Sequence, residues 1–345
     1  MRLPLLLCAA LCACATPRTA PPAAALAPTH VQLEHVRAHF TTLSADGMEG
    51  RLTGTPGALR AAEYIAAQLK AFGLPPGGDD GYLQRVPLAL VTRRGGRLQP
   101  MLLPPHMSME QVPEERRLTG LNVVGFIRGS DPALSQQSVL VGAHYDHLGV
   151  GEPVQGDGIY NGADDNASGV TALLEVARAL AQGPRPRRTV VFLSTTGEEQ
   201  GLLGIRWYLR QPTFPIEHIV ANLEVEMIAR PDPKAGGSGH AWLTGYERTT
   251  LGEALAAAGI PIGPDPHPAQ NFFERSDNYA LALRGIPAHT LSSYGLHADY
   301  HTPSDDVGTA DLAHMTEVIR SAVRAVRLLA DGEAPQWKEG MRPVE

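Results

Sequence analysis

The segment Val139-Leu140-Val141-Gly142-Ala143-His144-Tyr145-Asp146-His147-Leu148-Gly149 sets an apolar run directly against a group of imidazoles and a carboxylate. The run reads as a strand, which places His144 at its C-terminal end. Asp146 then stands close enough to accept the ring's other N–H, the partner that fixes tautomer and orientation in a metal-bound histidine. A His-x-Asp at a strand end also serves as a plain hydrogen-bonded pair, so this motif does not decide between the two uses.

Working outward, short β-branched runs alternate with helical patterns. Residues 122–127 and 138–143 read as strands, 169–181 as a helix, 189–193 as a strand and 202–210 as a helix. Residues 218–226 are strand-like, 249–258 helical, 287–291 a strand and 310–329 a long closing helix. Upstream, 30–44 and 57–72 carry helical periodicity, separated by the turn Gly50-Arg51-Leu52-Thr53-Gly54. This alternation predicts an α/β fold: a three-layer α/β/α arrangement with a mostly parallel, mixed central sheet. Pro/Gly-rich loops at 231–239 and 261–268 are candidate rims of a cleft, and no internal repeat is visible.

Apolar residues make up 43% of the 345 positions and charged residues 19%, enough apolar side chain for a sizeable core. The net charge of -7, with no long basic run, excludes nucleic acid as a partner. All three cysteines, Cys8, Cys12 and Cys14, fall at the N-terminus, where an apolar run reads as an export signal too short to span a bilayer as a mature helix. Leu11-Cys12-Ala13-Cys14 resembles a lipobox, which leads to the expectation of a bacterial lipoprotein tethered through Cys14 in the periplasm or at the cell surface. A cleaved signal and a secreted protein are the other reading. Residues 1–14 are thus expected to be the signal and 15–28 a Pro/Ala-rich tether. Residues 29–345 are expected to form one catalytic domain.

Four further segments carry chemistry. Asp164-Asp165-Asn166-Ala167-Ser168-Gly169 precedes an apolar helix and suits a helix cap, but its carboxylate also suits a bridge between two metal ions. Gly197-Glu198-Glu199-Gln200-Gly201 follows a strand. Adjacent glutamates there are either solvated charge or a pair in which one binds metal and its neighbour takes a proton. Glu224 and Glu226 lie in the apolar run 221–228, where an unpaired buried charge is costly and a metal would satisfy it. His297 and His301 share a loop after the strand 287–291. Four of the five segments fall at C-terminal strand ends, where open α/β sheets place their sites. Two histidines and three carboxylates suit zinc.

In order and wording, these segments resemble the co-catalytic zinc aminopeptidases, the family of the secreted bacterial leucyl aminopeptidases, aminopeptidase Y and glutamate carboxypeptidase II. The resemblance runs from about residue 29 to 329. It implies two Zn²⁺ ions, one held by His144, Asp165 and Glu226 and the other by Asp165, Glu199 and His301, with Asp165 bridging. It further implies Glu198 as general base, Asp146 as the residue orienting His144, Tyr300 as a group polarising the substrate carbonyl, and a cis peptide after Asp165. Two departures stand out. Most bacterial relatives have Asp where Glu226 stands, which leaves Glu224 as a possible substitute. The interval 84–120 is too short for the protease-associated domain that many relatives insert there.

The activity so implied is removal of N-terminal residues from peptides or proteins. A carboxypeptidase, a glutaminyl cyclase and a non-catalytic binding protein are the other uses of such a scaffold, and Arg275 and Arg230 are the cations within reach of a substrate carboxylate. Phe272, Phe273 and Tyr294 are candidates for an apolar substrate pocket or for core.

Overall fold

A computed structural model describes residues 30–93, 96 and 98–344. The expected signal, lipidation site and tether lie outside them. Helices α1 (Leu33–Leu43) and α2 (Pro56–Ala71) lead into β1 (Leu83–Thr92), β2 (Leu98–Leu102), β3 (Arg117–Ile127) and β4 (Ser138–His144). A hairpin of β5 (Gly149–Val154) and β6 (Asp157–Tyr160) precedes α3 (Gly169–Gln182), β7 (Thr189–Thr195), α4 (Leu203–Arg210) and β8 (Ile219–Val225). The chain continues through β9 (Ala241–Leu243), α5 (Leu251–Ala257), β10 (Ile262–Pro264), α6 (Asp277–Leu283) and β11 (Ala288–Ser292), and closes on α7 (Leu312–Asp331).

The main sheet has the order β10-β9-β11-β8-β4-β7-β3-β1-β2. Its centre, β11-β8-β4-β7, is parallel, and antiparallel pairing begins at β9 on one flank and at β3 on the other. Every residue of β4 and β7 is buried, because both faces of the sheet are covered. Val139, Val141 and Ala143 face one layer with Val190 and Phe192, packing against apolar residues of α1, α2, α3 and α7. Leu140, Val191 and Leu193 face the opposite layer, where Ile205 and Tyr208 of α4 and Leu281 of α6 cover them. The period-two alternation of the strands therefore generates the expected three layers.

Two features depart from the sequence reading. The interval 84–120 carries most of an antiparallel edge, β1, β2 and the start of β3, with Val86 and Leu88 buried against Leu203 of α4. The expected strand at 218–226 ends at Val225, so Glu226 stands just past the sheet rather than within it. Among the described residues, no helix is long and apolar enough to cross a membrane.

Candidate metal centre

The parallel strands converge on one rim, and each delivers a polar residue as its apolar run stops. His144 is the last residue of β4; Glu198 and Glu199 follow β7; Glu226 follows β8; the loop after β11 brings His297 and His301. Asp165 arrives on the turn before α3, where its peptide bond to Asn166 is cis. That turn is pinned by side chains: Asp305 accepts from the Asp164 and Asp165 backbone N–H groups at 2.9 and 3.0 Å. Asn166 Oδ1 accepts from Gly169 N at 2.9 Å, so the segment also caps its helix.

The side-chain donors form two groups that share Asp165. His144 Nε2 lies 3.4 Å from Asp165 Oδ1 and 3.4 Å from Glu226 Oε1. His301 Nε2 lies 3.1 Å from Asp165 Oδ2 and 3.2 Å from Glu199 Oε2. Donors ~2.0–2.1 Å from one tetrahedral zinc are about 3.3 Å apart, so both sets have the spacing of zinc-binding faces. His144 Nε2 and Asp165 Oδ1 are buried without a hydrogen-bond partner, a costly arrangement unless an ion lies between them. Zinc fits this donor set, and Asp165 belongs to both groups, with Oδ1 towards His144 and Oδ2 towards His301. Glu226 belongs to the set and Glu224 does not: the Glu224 carboxylate packs onto Gly142, where a Cβ would stand 1.9 Å from Oε2.

Glu198 belongs to neither donor group, and it lines the adjoining cavity together with Asp165, Glu226 and Tyr300. Burial lifts its carboxyl well above the ordinary value; His144 opposes this, while Glu226, Glu199 and buried Asp277 reinforce it. Burial also raises the Tyr300 phenol, with help from Asp165, Glu199 and Glu226, so its hydroxyl stays protonated. That ring stacks on His301 at 3.8 Å between centroids. Burial disfavours charge on His301, but its hydrogen bonds to Asp165 and Glu199 prevail and raise it to about 10. The cluster thus draws in positive charge of its own.

Three details refine the sequence reading. His144 Nδ1 meets the backbone carbonyl of Asp146 at 3.2 Å, and the Asp146 carboxylate stands 3.8 Å away. That carboxylate instead accepts from the backbone N–H groups of Glu198 and Glu199, at 3.1 and 3.4 Å, and so sets the turn that carries them. Phe272 and Tyr294 line the cavity, whereas Phe273 is buried in the α6 layer beside Tyr279 and Trp337. His147 joins the donors around Asp165, Glu199 and His301, a position that the motif spelling His144-Tyr145-Asp146-His147 offered without singling it out.

Arg51 is the other residue that the sequence hid. Its guanidinium is fully buried and donates to the carbonyls of Leu43, Tyr145, Asn161 and Gly162 at 2.6–2.8 Å. Tyr145 follows His144 and Gly162 precedes the Asp165 turn, so one cation ties together both loops that carry metal donors. Burial lowers it to about 10, opposed by Asp305, Asp146, Asp165 and Glu199, which leaves it charged at neutral pH. Arg51→Met strands the buried carbonyls of Leu43, Tyr145 and Asn161, each worth ~1–3 kcal/mol, while Gly162 O keeps the Ala167 N–H, and it is expected to lower unfolding stability by roughly 3 kcal/mol or more. Urea unfolding of the zinc-free protein measures this, and an unchanged midpoint would show that the clamp is energetically idle.

Fold and site together define a metallopeptidase, a hydrolase that works with zinc. The chain belongs to peptidase family M28, whose model matches residues 122–326, more than half of its length. The vacuolar membrane protease of Penicillium rubens is 29% identical over 245 residues, covering 65% of this chain and 23% of that protein. The vacuolar membrane protease of Aspergillus clavatus is 29% identical over 240 residues, covering 63% and 22%. The chain spans under a quarter of the length of either relative.

Among solved structures, the aminopeptidase from Aneurinibacillus sp. strain AM-1 superposes with a TM-score of 0.64 at 15% identity, over 91% of this chain and 97% of that one. The zinc aminopeptidase BSAP from Bacillus subtilis gives 0.63 at 14%, over 92% and 99%. The glutaminyl cyclase of Porphyromonas gingivalis gives 0.59 at 17%, over 87% and 99%. These likenesses establish the fold. The fungal matches overturn the expectation of a periplasmic or cell-surface lipoprotein, because those relatives are proteases of a vacuolar membrane, not of a bacterial envelope.

Proposed function

We propose that the protein is an aminopeptidase that hydrolyses N-terminal peptide bonds, with Glu198 as general base. The observation that carries this reading is the position of Glu198, which faces the cavity beside both donor groups while belonging to neither. In this reading His144, Asp165 and Glu226 hold one zinc and Asp165, Glu199 and His301 the other. Bound zinc supplies Lewis acidity to the scissile carbonyl and lowers the pKa of the attacking water. Glu198 takes the proton from that water and returns it to the leaving amine, a shuttle favoured by a carboxyl that burial holds well above its ordinary range. Tyr300, kept protonated, donates to the substrate carbonyl, and Asp146 sets the angle at which the Glu198-Glu199 turn meets the cavity.

Trp242, Phe272 and Tyr294 give the cavity an apolar wall suited to a hydrophobic first residue. One cation, Arg275, also lines it, with its guanidinium 5.1 Å from the Phe272 ring and Nη2 3.4 Å from the Tyr300 hydroxyl. Arg275 is the observation that favours carboxypeptidase action as a second reading, because a substrate carboxylate would seek it. Peptides with a free amino terminus are expected to be cleaved and their N-acetylated forms spared. Equal turnover of both forms would sink the aminopeptidase reading. Strict dependence on a free C-terminus, lost in Arg275→Ala, would replace it with the second.

A further inference from the structure

His147 is fully buried, and its ring packs against Gly162, where a Cβ would come within 2.6 Å of Cδ2. Its Nδ1 lies 2.8 Å from Glu199 Oε1 and 3.9 Å from Asp165 Oδ2. The other four donor pairs at the centre are separated by 3.1 to 3.4 Å, close to the edge of a zinc tetrahedron at about 3.3 Å. The two His147 distances straddle that value. The shorter one is a hydrogen bond, and it engages the Glu199 oxygen that His301 does not face. Nε2 is buried with no partner, so nothing competes for the tautomer, and the carboxylate opposite Nδ1 places the proton on Nδ1. A ring nitrogen that carries a proton has no lone pair to give a metal.

Resting on the two-zinc reading above, we infer that His147 is a positioning residue: its Nδ1–H holds the outer oxygen of Glu199 so that the inner oxygen is aimed at the zinc shared with Asp165 and His301. The same zinc then has one more fixed group behind it than the zinc on the His144 side, whose Glu226 side chain is 19% exposed and, among the described residues, has no such support.

An asparagine places its amide nitrogen near the position of Nδ1, whereas glutamine overshoots it and leucine offers no donor. In chelator competition on the full-length protein, His147→Asn is expected to keep both zinc affinities within a few fold of wild type. His147→Leu and His147→Gln are expected to weaken one of the two by ~10–100-fold, the usual cost of removing a partner from a metal-binding carboxylate. Zinc-edge X-ray absorption of the wild-type protein should count about one imidazole per zinc, from His144 and His301 alone. Zinc-free wild type and variants should unfold at similar temperatures, since a merely structural role would lower that temperature and leave zinc affinity alone. An imidazole count nearer three per two zincs, with Asn and Leu variants equally weakened, makes His147 a ligand and overturns the inference. Unchanged affinity in all three variants overturns it as well. A wild-type protein that binds no zinc would instead defeat the metallopeptidase reading itself.

Discussion

Glu198→Gln is expected to leave zinc content near that of the wild-type protein while lowering kcat by about two to four orders of magnitude, the range for losing a positioned general base. The amide keeps the shape of the carboxyl but cannot accept a proton. Because Glu198 stands outside both donor groups, its replacement removes no bond to metal. The neighbouring change, Glu199→Gln, should do the reverse and empty mainly the His301 side, for Glu199 Oε2 faces His301 Nε2 at 3.2 Å. Zinc measured by plasma emission beside kcat for each purified variant separates the two. Metal loss in Glu198→Gln with retention in Glu199→Gln would exchange their roles. No effect from either would end the enzymatic assignment of this pair, because two solvated glutamates would behave that way.

Most parts of this centre that were legible in the sequence share one physical trait, a polar residue that follows an apolar run that must be a buried strand. Asp165 was read instead from the turn before an apolar helix, and His301 from a loop well past its strand. His144 after 139–143, Glu198 and Glu199 after 189–193, and Glu226 after 219–225 stand out because burial on both faces of the sheet forces continuous apolar sequence right up to the rim. Strands towards either edge of the sheet lack that pressure. In β1 the buried Val86 and Leu88 alternate with Arg85 and Pro87, and β9 and β10 have three residues each, too few to show a period. Helix α6, at seven residues, is equally short, so Asp277 at its start went unnoticed. Arg51 carried no local signal at all. Three of its four carbonyl partners lie 94 to 111 positions away, and a Gly-Arg-Leu-Thr-Gly turn reads as exposed until the fold closes over it. His147 was hidden for the opposite reason, since it sits inside a motif whose first histidine already accounted for the pattern.

Asp165→Asn is expected to have the widest effect on metal binding, because this one side chain is common to both donor groups. Oδ1 faces His144 at 3.4 Å and Oδ2 faces His301 at 3.1 Å, so replacing either oxygen with an amide nitrogen removes a donor from one side. The lost negative charge should weaken both sides: three carboxylates, Asp165, Glu199 and Glu226, would offset most of the charge of two Zn²⁺ ions held there, and two carboxylates would leave a larger excess on ions that must stay close together. The turn itself should survive, since the Asp165 backbone N–H still donates to Asp305 and Asn166 still caps Gly169. Loss of the attraction between the Asp165 carboxylate and the His144 and His301 rings is expected to leave the zinc-free variant somewhat less stable than zinc-free wild type. Adding zinc should then raise the unfolding temperature of the wild-type protein but barely move that of Asp165→Asn, because stabilisation by a ligand follows its affinity for the folded state. Both zinc affinities should fall by more than the ~10–100-fold that follows loss of an outer partner. A variant that loses only one zinc would show that Asp165 serves a single ion, and one that binds two zincs as tightly as wild type would remove it from the centre altogether.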